Sequence, residues 1–155
     1  MQTYKTYTLE EATQRLKRYC VYRERCHKEV ESKLKELRMI PEAQAKIIGV
    51  LLQEGFLNEE RFAKSFARGK FKIKKWGKFR IVRELKNRDI STYNINSALR
   101  EIDDEEYRQV LTEIASKKMK LLNDKNPLKK KKKLVDYLLY KGFEAELVYE
   151  EMDSM

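Results

Sequence analysis

The chain is predicted to be all-α: three tandem three-helix repeats forming an elongated, curved helical array of right-handed type. Three observations carry this. Apolar residues recur at spacings of three and four along all 155 residues, without the alternation of a half-buried strand. Five Gly and two Pro are few for a sheet protein, while Glu, Lys, Arg and Leu abound. Hydrophobic residues make up 41 % against 39 % charged, which suits small stacked helical units better than one spherical core.

The elements follow in order. Thr8 caps a helix whose stripe is Leu9, Ala12, Leu16 and Tyr19 or Cys20. Val30, Leu34 and Leu37 mark a second, ending near Met39-Ile40. Pro41 opens a third, carrying Ala45, Ile48, Leu51 and Leu52, and Gly55 stops it. Asn58 caps a longer helix through Phe62, Phe66, Ile73 and Trp76, interrupted at Gly77. Ile81, Val82 and Leu85 follow, ending around Asp89-Ile90. Ser91 or Thr92 caps a short helix with Ile95, Ala98, Leu99 and Ile102. Asp103 or Asp104 caps the next, with Tyr107, Val110, Leu111, Ile114 and Met119. Asn126-Pro127 starts the eighth, with Leu134, Val135, Leu138 and Leu139, and the ninth runs from about Glu144 to Met152.

These nine helices group as three threes, in units 1–55, 56–102 and 103–155. Ile81, Leu85, Ile90, Ile95 and Leu99 align with Leu134, Leu138, Phe143, Val148 and Met152 at a spacing of 53. Val30, Leu34 and Met39 stand 51 residues before Ile81, Leu85 and Ile90, a weaker match. Units this small cannot bury their own apolar faces, so neighbours are expected to stack in a row.

Charge is unevenly placed. Residues 61–90 hold twelve Lys or Arg against Glu84 and Asp89, a local +10 that equals the excess of the whole chain. A polyanion, or a protein assembly wrapped on one, is the partner this field suits. No apolar run approaches the roughly 18 residues of a membrane span, the first residues lack the apolar core of a signal peptide, and a cytoplasmic location is expected. Cys20 and Cys26 are read as reduced, partly buried thiols, since the paired ligand pairs of a zinc site are missing. The single histidine, His27, neighbours Cys26 about 100° away on a helix, which does not make a nucleophile pair. No Gly-rich phosphate loop occurs, so neither catalysis nor a cofactor is expected.

Three segments resemble the RecX family of recombination regulators. Leu52-Gln53-Glu54-Gly55-Phe56-Leu57-Asn58-Glu59-Glu60-Arg61-Phe62-Ala63 is similar to the family's L-x-x-x-G-x-L-(D/N)-(D/E)-x-R-F-A run. Lys75-Trp76-Gly77-Lys78-Phe79-Arg80-Ile81-Val82-Arg83-Glu84-Leu85 resembles its G-x-x-(R/K)-I-x-x-E-L block, and Tyr22–Arg25 with Glu29-Val30 to Lys33-Leu34 is a weaker third. The glycine usual after the second helix is replaced by Arg38 and Asp89 in units one and two and kept as Gly142 in unit three, which weakens the expected turn geometry. The resemblance implies three tandem three-helix units in a curved rod. It also implies a monomeric, non-enzymatic inhibitor that binds in the groove of a RecA–DNA filament and damps ATP hydrolysis and strand exchange.

The candidate partner- and DNA-binding residues are Arg68, Lys70, Lys72, Lys74, Lys75, Lys78, Arg80 and Arg83, with a second basic site at Lys129, Lys130, Lys131, Lys132 and Lys133. Charge runs usually form solvated faces of mixed sign, but no acid lies between Glu60 and Glu84. On a continuous helix Lys70, Lys74 and Lys78 would share one side, with Ile73 and Trp76 on another. Trp76 is read as a core anchor rather than a stacking platform, and Arg61 as a structural salt link. The five lysines from Lys129 oppose a helix dipole, which fits either a partner site or a solvated run. Three functions stay open: a modulator of a recombinase filament with weak DNA binding through the middle unit, a sequence-nonspecific nucleic-acid-binding repeat protein without a recombinase partner, and a scaffold for another protein.

Overall fold

The computed structural model describes residues 4–155. Its nine helices among the described residues are α1 (Leu9–Tyr22), α2 (His27–Glu36), α3 (Pro41–Gln53), α4 (Glu59–Lys72), α5 (Lys78–Asn87), α6 (Thr92–Leu99), α7 (Asp104–Leu121), α8 (Pro127–Lys141) and α9 (Ala145–Asp153). Helix starts are where short polar side chains can satisfy the first free amides. Thr8 and Glu11 form a reciprocal capping box (3.0 and 3.1 Å). Asn58, Ser91, Asp103 and Asn126 accept amides of Arg61, Asn94, Glu106 and Leu128. Pro41 and Pro127 are first residues of their helices.

Helices that pack closely fall in consecutive threes: α1–α3, α4–α6 and α7–α9. The accessible surface is 10320 Å², whereas a compact 18.7 kDa monomer would expose roughly 8,300 Å². The array is therefore extended. Its apolar interior divides in two. Ala12, Leu16, Val30, Leu34, Ile47 and Leu51 fill the first triplet together with Leu57, and Phe56 packs against them. The second and third triplets share one continuous core, into which the first, among the described residues, sends only Cys26.

The repeat register has a physical counterpart. Ile81, Leu85 and Ile90 are buried, as are Leu134, Leu138 and Phe143 at +53 and Val30 and Leu34 at −51. The turn after the second helix of each triplet takes one left-handed residue in all three cases: Arg38 (φ 62°), Asp89 (φ 58°) and Gly142 (φ 103°). Replacement of glycine thus leaves the turn intact, contrary to the weakening expected, and places strain on two L-residues instead.

Two helical faces differ from the periodicity reading. In α3 the core residues are Ile47 and Leu51, Ala45 and Leu52 being exposed and Ile48 half-buried, so the buried stripe lies one position off the expected one at Ile47. The helix expected to continue to Trp76 stops at Lys72, and Lys75 turns left-handed (φ 57°). Ile73 is consequently exposed, and the buried face of α4 is Phe62, Ala63, Ala67 and Phe71.

Arg38→Gly and Asp89→Gly should each raise unfolding free energy in urea by about 0.5–1 kcal/mol by relieving the left-handed strain. Gly142→Ala should lower it, since its added methyl would also overlap the Arg80 backbone.

Candidate functional site

Gly77 precedes α5 as its N-cap, and it lacks the side chain that would keep a neighbour away. A Cβ there would overlap the backbone of Gly142 and Phe143. The end of α8 enters that space. The Lys141 carbonyl accepts the Gly77 amide (2.8 Å) and the Gly142 carbonyl accepts the Phe79 amide (3.0 Å). Between them, the Tyr107 hydroxyl accepts the Lys78 amide (2.8 Å) and donates to the Glu144 carboxylate at the start of α9. Three successive amides, those of the N-cap Gly77 and of the first two residues of α5, are thus satisfied by the third triplet, and the negative end of α8 points at them. Below this joint the rings of Phe71, Tyr107 and Phe143 stack at centroid distances of 5.7 and 5.2 Å.

The joint gathers cations. The Arg80 guanidinium lies 4.3 Å from the Trp76 ring centre and 4.8 Å from that of Tyr140, and Lys70 Nζ is 5.0 Å from Trp76. The Lys141 ammonium donates to the Lys74 carbonyl (2.6 Å). Burial holds its pKa below the usual lysine range, with the charges of Arg80 and Lys74 adding repulsion. Among the described residues none of Lys70, Lys74, Arg80 and Lys141 has a carboxylate partner, and the half-exposed Arg80 has a buried Nε with no acceptor. Trp76, half-buried, packs edge-on to Phe66 against the core.

The residues singled out by sequence separate into paired and unpaired groups. Arg68 reaches Glu101 (3.8 Å), and Lys78 pairs with Asp104 (3.5 Å) over the Tyr107 ring. Lys72, Lys74, Lys75 and Arg83 are exposed and make no ion pair among the described residues. Lys70, Lys74 and Lys78 do not share one helix side, because they belong to α4, to the turn and to α5. In the lysine run, Lys132 and Lys133 pair with Asp136 (3.6 Å) and Asp124 (2.9 Å), and Lys129, Lys130 and Lys131 make no ion pair among the described residues. Arg61 is tied to Glu24 (2.5 Å) and donates to the Gly55 carbonyl (2.9 Å). Both cysteines are free, buried thiols, and burial raises the pKa of each. No group of three or more metal-capable side chains occurs among the described residues.

Two family models match the chain: "RecX, second three-helix domain" over residues 58–99 and "RecX, third three-helix domain" over residues 104–152. The chain belongs to the RecX family. The matched segments contain α4–α6 and α7–α9, the two triplets joined at Gly77. Relatives named Regulatory protein RecX include those of Oceanobacillus iheyensis (29 % identical, over 86 % of this chain and 50 % of that protein) and Enterococcus faecalis (28 %, over 88 % and 52 %). The chain spans about half the length of these two. The Prosthecochloris aestuarii relative is 28 % identical over 88 % of both. Two crystal structures share the fold: a regulatory protein RecX (TM-score 0.86, 21 % identity, 94 % of this chain and 73 % of that one) and RecX from Lactobacillus salivarius (0.83, 23 %, 94 % and 95 %). All-α architecture in three-helix repeats is thereby established for this RecX-family chain.

Sequence reasoning missed Tyr107, Tyr140 and Lys141 as members of this joint. A signal existed for the first: counted from the caps Asn58 and Asp103, Tyr107 occupies the place that Phe62 holds in the preceding unit. A hydroxyl there is useful only to a polar partner in the core.

Tyr107→Phe should lower stability by about 2 kcal/mol, because it strands the Lys78 amide and the Glu144 carboxylate. Burial, then the hydrogen bond to Glu144, pushes the Tyr107 hydroxyl pKa well above its ordinary value near 10. A raised folded-state value contributes stability below pH 10 that is lost as pH rises beyond it. Urea midpoints should therefore fall above pH 10, and fall less in Tyr107→Phe.

Proposed function

We propose that this RecX-family protein is a non-enzymatic inhibitor of the RecA recombinase, lying in the groove of the RecA–DNA filament and damping ATP hydrolysis and strand exchange in recombination and DNA repair. The observation that carries the reading is the family match through the second and third triplets. The unpaired cations of Lys72, Lys74, Lys75 and Arg83 are compatible with it: they lie on a unit with no acid between Glu60 and Glu84 to neutralise them locally. In this reading an extended monomer with units 1–55, 56–102 and 103–155 spans neighbouring recombinase subunits and hinders the movements that ATP turnover requires. DNA is a weaker ligand, reached through the basic middle unit. Lys129, Lys130 and Lys131 provide a second cationic patch on α8.

The purified protein should slow DNA-dependent ATP hydrolysis by RecA at substoichiometric to equimolar ratios. Unchanged hydrolysis across that range would sink the proposal. Lys72→Glu/Lys75→Glu/Arg83→Glu should lose the inhibition with helicity and melting nearly unaltered, since all three side chains are exposed and unpaired. Tight binding to bare duplex DNA with a log K against log salt slope of about −5 or steeper, with no effect on filaments, would favour the nucleic-acid-binding alternative without a recombinase.

A further inference from the structure

The joint between the second and third triplets does more than hold them together. Its amides are consumed internally, but its cations are not. Arg80 is stacked between two rings, and among the described residues none of its nitrogens meets a carboxylate. Lys141 is drawn in beside Lys74 and Arg80 with only a backbone carbonyl as acceptor. Like charges gathered without a counter-charge favour an anion placed among them. Beside them Tyr140 is 67 % exposed and Phe79 62 % exposed. Arg80 covers one face of the Tyr140 ring, and its remaining exposure is available to a flat ligand.

We propose that this joint is a single-stranded nucleic-acid site, in which Lys74, Arg80 and Lys141 take a backbone phosphate and the exposed Tyr140 ring stacks a base. Cations beside an exposed aromatic ring are the pairing that single strands use, because a base must leave the duplex stack before a side chain can stack on it. An acidic protein surface would use the charges but would have no need of the ring. The site is composite: Lys74 and Arg80 come from the second triplet, Tyr140 and Lys141 from the third. It exists only while Gly77 lets the two meet. The assignment deepens the filament reading by naming the part of a nucleoprotein complex that this joint faces, yet its test needs no recombinase.

The probe is a labelled dT oligomer of about 15 nucleotides, spanning the range of site sizes known for single-strand-binding folds. Binding should alter emission from Trp76, the only tryptophan of the chain and in contact with Arg80. Tyr140→Ala should weaken binding about tenfold, within the range for one stacked base, while Tyr140→Phe stays close to the parent. Lys74→Gln should weaken it and shallow the salt slope by about 0.7, as for one single-strand phosphate. Circular dichroism should be unchanged in all three variants. Three results would overturn the assignment: parental affinity in Tyr140→Ala, a duplex of equal length bound as tightly as the single strand, or competition by polyglutamate that matches dT and is insensitive to Tyr140. If wild-type protein fails to damp RecA while these oligomer results hold, the filament reading falls and this site stands. If RecA is damped but Tyr140→Ala binds dT like the parent, the site falls and the filament reading stands.

Discussion

The architecture depends on one close approach, the seating of the α8 terminus on the start of α5 at Gly77. A side chain at that position would occupy the space of Gly142 and Phe143. With hydrogen there instead, two carbonyls and one hydroxyl of the third triplet satisfy the amides of Gly77, Lys78 and Phe79, which would otherwise need water. The dipoles of α8 and α5 then run head to tail, and the Phe71–Tyr107–Phe143 stack closes beneath them. Neither triplet has a complete core alone, since Phe71 of one and Tyr107 and Phe143 of the other bury each other. The local +10 therefore sits on a two-triplet body rather than on a single three-helix unit.

That body also explains why the charge is tolerated. Positive residues at a helix start oppose its dipole, and α5 begins Lys78-Phe79-Arg80. The opposition is relieved locally: Lys78 reaches Asp104 across the Tyr107 ring, and Arg80 lies between two aromatic faces. Each aromatic face is worth about 0.5–1 kcal/mol at an exposed site, enough to hold a guanidinium in place without neutralising it. Cations held in place but left unneutralised are suited to an external anion.

The fold class, the caps and the repeat spacing were legible because each rests on local chemistry: Thr8, Asn58, Ser91 and Asn126 read as helix starts from their side chains alone, and the +53 register follows from burial of one residue in each turn. Two kinds of information were not local. Where a helix stops without glycine or proline depends on what its end meets; α4 yields at Lys72, and the Trp76 amide reaches back to the Lys70 carbonyl while Lys141 takes that of Lys74. The candidate site was half legible for the same reason. The charge of residues 68–83 is plain in the sequence, but Tyr140 and Lys141 stand some sixty residues away and join it only through the Gly77 approach.

The two joints of the array are chemically different. At the position equivalent to Gly77 the first triplet has Cys26, whose buried side chain packs into the second core. The amides there turn to carboxylates instead, Cys26 to Glu29 and His27 to Glu59. Further ties are Arg61 to Glu24 and the exposed Lys28 to the Asn87 carbonyl and Asp89, with Leu57 and Phe56 packed on the first core. Pairs of that kind contribute little each and are screened by salt, whereas the amide clamp and aromatic stack of the second joint are not. The first joint therefore rests on a buried thiol and exposed ion pairs, the second on backbone amides and stacked rings.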